Sequence, residues 1–128
     1  MVQQVTEGIK ISVQSHFDGT FYQNNHLHFA FSYQVTIENQ SDNVVQLATR
    51  HWQIMDSLCD TTYVDGEGVI GKKPILQPGQ SHTYQSGCLL RSPIGNMKGH
   101  YQMLVSNTSR QIKVLIPSFQ LSASFILN

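Results

Sequence analysis

The chain has 128 residues, eight Lys plus Arg set against eight Asp plus Glu, and a hydrophobic fraction of 40%. That length suits one domain burying roughly two-thirds of its unfolded surface, with no need of a disulfide or metal staple. Zero formal net charge supplies no field to gather a polyanion, and no segment nears the roughly 18 consecutive apolar residues of a membrane span, so neither nucleic-acid binding nor membrane insertion is expected.

From the N-terminus, Met1-Val2-Gln3-Gln4-Val5-Thr6-Glu7 lacks the basic start and apolar stretch of a secretory signal, so a cytoplasmic location is expected. With it go reduced thiols at Cys59 and Cys88. Ile9, Ile11 and Val13 alternate with polar residues and predict a strand. Residues 20–26 read as an exposed loop. Leu27, Phe29, Phe31, Tyr33, Val35 and Ile37 then share one side of a long strand, which ends in the turn signal Asn39-Gln40-Ser41-Asp42-Asn43. Asn39-Gln40-Ser41 and Asn107-Thr108-Ser109 match the glycosylation acceptor pattern but read as turns in a chain that is not exported.

Between Val44 and Met55 the inward phase changes from Val45 and Leu47 to Trp52 and Ile54. One extra residue within Ala48 to His51, a bulge, accounts for that. Further turns are expected at Asp65-Gly66-Glu67-Gly68, Gln77-Pro78-Gly79 and Ser106-Asn107-Thr108-Ser109. Strands are expected around Tyr101, Met103 and Val105, around Ile112, Val114 and Ile116, and around Leu121, Ala123 and Phe125. Leu104 and Leu115, out of phase, suggest strands covered on both faces. No window carries a capped helical period. Short strands at near-regular spacing without crossover helices predict an all-β antiparallel sandwich, immunoglobulin-like or fibronectin-III-like, with little or no helix.

Gly66-Glu67-Gly68-Val69-Ile70-Gly71-Lys72-Lys73 reads as G-x-G-x-x-G and makes Gly66, Gly68, Gly71 and Lys72 a candidate anion loop. A nucleotide fold needs a helix launched at the last glycine; Pro74 and Pro78 oppose one, which favours a flexible glycine turn over an anion-binding nest. His26 and His28, two apart, project to one side of a strand and are weak metal candidates lacking a third ligand, so no metal or other cofactor is expected. Cys88 with His82 or His100 is a conceivable nucleophile and base, but no catalytic signature surrounds it, and the chain does not read as an enzyme. Arg50 and Trp52 are candidate partner-binding residues if the bulge exposes them; otherwise Trp52 is core and Arg50 caps it.

Several strings, in order, resemble the motifs of the bacterial ApaG family: Thr49-Arg50-His51-Trp52-Gln53-Ile54-Met55-Asp56, Val64-Asp65-Gly66-Glu67-Gly68-Val69-Ile70-Gly71, Leu76-Gln77-Pro78-Gly79 and Tyr84-Gln85-Ser86-Gly87-Cys88. Pro93-Ile94-Gly95-Asn96-Met97-Lys98-Gly99-His100-Tyr101-Gln102-Met103 and Ile116-Pro117-Ser118-Phe119-Gln120-Leu121 continue the resemblance. It implies one ApaG-like β-sandwich domain over residues 1–128, with 122–128 as a C-terminal extension. It also implies an association with cobalt and magnesium tolerance or efflux. Related domains in eukaryotic F-box proteins and in a polymerase-binding protein look like interaction modules. The expected function is therefore a non-catalytic binding module, monomeric or homodimeric, with a protein partner and an indirect effect on cations. The alternative is a sensor of a polyphosphate, nucleotide or divalent cation through the glycine loop.

Overall fold

The computed structural model describes residues 1–123. Nine strands follow in chain order: β1 (Val2–Thr6), β2 (Ile9–Gln23), β3 (His26–Asn39), β4 (Val45–Asp56), β5 (Thr62–Glu67), β6 (Ile75–Leu76), β7 (Ser81–Leu90), β8 (Ile94–Val105) and β9 (Gln111–Ser122). All pairings are antiparallel, in one sheet ordered β1-β2-β3-β7 and a second ordered β5-β4-β8-β9, with β6 beside β4. No helix forms among the described residues, and none is long and apolar enough to cross a membrane.

The two sheets close over a continuous core drawn from the period-two positions. Ile9, Ile11, Val35 and Ile37 of the first sheet and Leu47, Tyr101, Met103 and Val114 of the second are all fully buried. The β-sandwich expected from alternation is thus the structure, because burying one face of each sheet requires a partner sheet. Leu104 and Leu115 are instead 37% and 40% exposed on outer faces. Among the described residues the outer faces of β8 and β9 are open at these two positions, and single apolar side chains on a surface are common.

Other boundaries differ from the sequence reading for local reasons. Residues 20–26 are not a loop: β2 runs to Gln23, β3 starts at His26, and the chain reverses through Asn24 and Asn25 at φ 53° and 63°. Two consecutive positive φ values make the tight hairpin turn that asparagine tolerates. Glu7 and Gly8 do the same at φ 48° and 81°, pairing the unanticipated β1 with β2. Asp65 and Gly66 lie within β5 rather than in a turn. Ser122 pairs with Ile94, and the Ala123 amide donates to the Pro93 carbonyl at 2.9 Å, so the sheet extends into the residues expected as an extension. Phe125 and the rest of 124–128 lie outside the described residues.

Candidate functional site

The register of β4 against β8 slips between Leu47 and Thr49, leaving Ala48 as the extra residue of a bulge. Beyond it the even-numbered residues turn inward, so Trp52 is buried at 3% exposure and belongs to the core. Trp52 is therefore not a surface anchor. Its ring meets Tyr33 at 5.3 Å and 61°, and Phe119 at 6.0 Å and 87°, both edge-to-face arrangements that aromatic quadrupoles favour.

Arg50, on the same inward side, pairs across to Gly66. A Cβ at Gly66 would stand 2.6 Å from the guanidinium carbon, so glycine is what lets the guanidinium lie there. From that position Nη1 donates to the carbonyls of Glu67 at 3.0 Å and Gly68 at 2.8 Å. Arg50 thus braces the glycine-rich segment from beneath.

That segment is a hairpin. Val69 and Lys72 exchange both backbone hydrogen bonds, at 2.8 and 3.0 Å, around Ile70 and Gly71 at φ 48° and 72°. Gly68 has φ 61° and faces the Lys72 carbonyl so closely that a Cβ would fall 2.2 Å from it. Each glycine of the spacing therefore answers a backbone or packing need. The Gly68, Val69 and Lys72 amides already donate to protein carbonyls, which leaves the loop poorly furnished as an anion nest. No helix leaves Gly71, and Lys73 rather than Lys72 pairs with Glu67, whose carboxyl it holds below its usual range by hydrogen bonding and charge.

Beneath the hairpin, at the mouth between the edge strands β5 and β7, opens a cleft of about 330 Å³. Trp52, Ile54, Val64 and Met97 furnish apolar wall; Arg50, Tyr33, Glu67, Tyr84 and Ser86 furnish polar groups. Burial pushes the Tyr33 and Tyr84 hydroxyls above their ordinary 10.0, opposed by hydrogen bonding from Ser86 and Tyr101 respectively and by the positive charge of Arg50. Tyr84 and Tyr101 share a hydroxyl–hydroxyl hydrogen bond across the two sheets. Tyr33, Tyr84 and Ser86 were not singled out by sequence. Their signal was an inward-phase tyrosine, whose hydroxyl needs a polar companion.

No carboxylate among the described residues pairs with Arg50. Beside the cleft, β7 ends its sheet, paired on one side only by β3; among the described residues no backbone hydrogen bond reaches its other edge. Ser81–Leu90 contains no Lys, Arg, Asp, Glu or Pro. The other end strands are guarded or short: β5 carries Asp65 and Glu67, β9 carries Lys113 and Pro117, and β1 has five residues.

The remaining candidates lie apart. His26 and His28 both sit on β3, but the His26 ring meets Arg91 Nη2 at 2.7 Å and His28 stacks on Phe21 at 5.3 Å. No group of three or more His, Cys, Asp or Glu suited to a metal exists among the described residues. His51 bonds Asp65 at 2.5 Å and stacks on His100 at 5.0 Å, on the outer face. Cys59 and Cys88 are both free; burial, then the charge of Asp56, pushes the Cys88 thiol up to about 11, the wrong direction for a nucleophile.

The ApaG domain family matches residues 20–105. Over its full length the chain is 38% identical to Protein ApaG of Acidithiobacillus ferrooxidans, 128 residues covering 100% of both. It is 39% identical to Protein ApaG of Brucella abortus over 121 residues, 94% of this chain and 92% of that one. The crystal structure of the protein assigned as ApaA from Bordetella pertussis superposes with a TM-score of 0.79 at 32% identity, covering 89% of this chain and 92% of that one.

Proposed function

The chain belongs to the ApaG family, and from that premise we propose that it is a non-catalytic binding module that takes up an extended segment of a protein partner along β7. The bare edge of β7 carries this reading. In an antiparallel strand every second residue turns its N–H and C=O away from its neighbour, so an end strand presents a row of unmet donors and acceptors. Soluble proteins blunt such edges with charge, proline or brevity, and β7 has ten residues and none of these devices. Strand addition satisfies the row and draws affinity from main-chain hydrogen bonds, with side-chain pockets giving selectivity.

On this reading the module works in the cytoplasm and any effect on cobalt or magnesium tolerance passes through the partner. Sensing of a polyphosphate or cation by the glycine loop has less support, since three loop amides are already engaged.

Amide hydrogen exchange tests the proposal. Peptides selected on the full chain from a display library of random linear sequences should slow exchange at alternate amides of Ser81–Leu90, those that point away from β3. Protection confined to another surface, or no enriched peptide at all, refutes it.

A further inference from the structure

We infer that the cleft beside β7 receives a carboxylate side chain of the incoming strand and pairs it with Arg50; this rests on strand addition at β7. Both hydrogen bonds of Arg50 leave from Nη1 and end on main-chain carbonyls, so Nη2 donates to nothing among the described residues. Its charge pairs with no carboxylate among the described residues: Glu67, the acid of the cleft lining, is taken by Lys73. A guanidinium is a planar fork that matches a carboxylate. Here it shares the cleft lining with Trp52, Ile54, Val64 and Met97, and in a partly enclosed cleft an ion pair is stronger than in bulk water.

Geometry relates the cleft to the edge. Tyr84, Ser86 and Gly87 of β7 line it, so a strand laid along β7 runs past its mouth. Residues directly opposite in an antiparallel pair project to the same face. The residue opposite Ser86 therefore points inward, as Ser86 does, towards Arg50. A volume of about 330 Å³ admits a glutamate side chain with bridging water. A second copy pairing β7 to β7 does not fit this chemistry, because Ser81–Leu90 contains no acid.

The experiment uses the full chain and a peptide enriched on it, read by fluorescence anisotropy and amide exchange. Enriched peptides are expected to share one acidic position within an otherwise uncharged extended run. Replacing that acid by its amide in the peptide should weaken binding roughly 10- to 100-fold, as for loss of a charge-assisted hydrogen bond, while leaving the protein untouched. Arg50→Gln should remove the difference between the two peptides, and Arg50→Lys should restore part of it. If acid and amide peptides bind alike while β7 amides are still protected, the inference falls and strand addition stands. If β7 is not protected, both fall. A dimer by light scattering whose β7 amides are protected without peptide also overturns the inference.

Discussion

Asn39 closes the end of β3, and its side chain is fully buried. Nδ2 donates to the carbonyls of Asn43 at 2.7 Å and Leu76 at 2.9 Å, while Oδ1 accepts from the Ser41 amide at 3.0 Å and the Ser41 hydroxyl at 2.6 Å. One side chain therefore ties the 39–43 turn to β6. Asn39→Ala deletes four hydrogen bonds worth about 1 kcal/mol each net, and water can reclaim the partners nearer the surface, so a loss of about 3 kcal/mol is expected. With a urea slope of about 1.5 kcal/mol per molar, the midpoint should fall by about 2 M. Asn39→Asp preserves both acceptor contacts but turns a carboxylate oxygen towards two carbonyl oxygens, so at pH 7 it should cost more than Ala. Burial and those carbonyls raise the folded carboxyl above its unfolded value. The penalty is therefore full above the folded value and eases as pH falls through it, when the proton supplies one donor. Urea melts of both variants at pH 7 and pH 5 check this. A midpoint shift under about 0.5 M for Ala, or an Asp variant as stable as the parent, would refute the accounting.

The hairpin glycines should behave unequally in the same melts. Gly68→Ala drives a Cβ to 2.2 Å from the Lys72 carbonyl at positive φ and should cost about 3 kcal/mol. Gly71→Asn, at φ 72° with nothing within 4 Å, should change stability by less than about 0.5 kcal/mol; equal losses would discredit the geometry. A thiol reagent at pH 8 should label exposed Cys59 and leave Cys88, whose thiol is pushed up to about 11, until urea opens the fold, as peptide mass spectrometry would show. Tyr33, Tyr84 and Tyr101 all have folded values raised above 10.0 by burial. Their contribution to stability is full below pH 10 and is lost as pH rises through the folded values. Alkaline unfolding should accordingly begin above about pH 10, with ultraviolet difference spectra showing the three ionise together with loss of structure; earlier, independent ionisation would count against the buried cluster.

Much of the fold was legible because alternation is a local property with a forced consequence: Leu27 to Ile37 cannot bury one side without a facing sheet. The phase change before Trp52 likewise announced the bulge that the register places at Ala48. Turns were harder. Asn24-Asn25 and Glu7-Gly8 reverse the chain in two residues each; the first lies inside the stretch 20–26 whose composition reads as a longer loop, and the second has no cluster of turn-formers to mark it. Asp65-Gly66 suggested a turn on composition, yet the reversal falls at Ile70-Gly71. Gly66 is in the strand for the sake of a side chain on β4.

The site was half legible for the same reason. Phase alone can say that Arg50 turns inward with Trp52; it cannot say that the guanidinium ends under carbonyls 17 and 18 residues along the chain, because that contact exists only once β5 has paired. The G-x-G-x-x-G spacing shows the converse hazard. In a phosphate loop the glycines clear space for a ligand, whereas here Gly66 clears space for Arg50, Gly68 for the Lys72 carbonyl, and Gly71 supplies one half of a two-residue turn. Identical spacing thus serves opposite electrostatics: a phosphate cradle gathers N–H groups around an anion, while this hairpin gathers carbonyls around a cation. The positive charge that lines the cleft therefore comes from β4, turned inward by one bulged residue, and not from the loop above it.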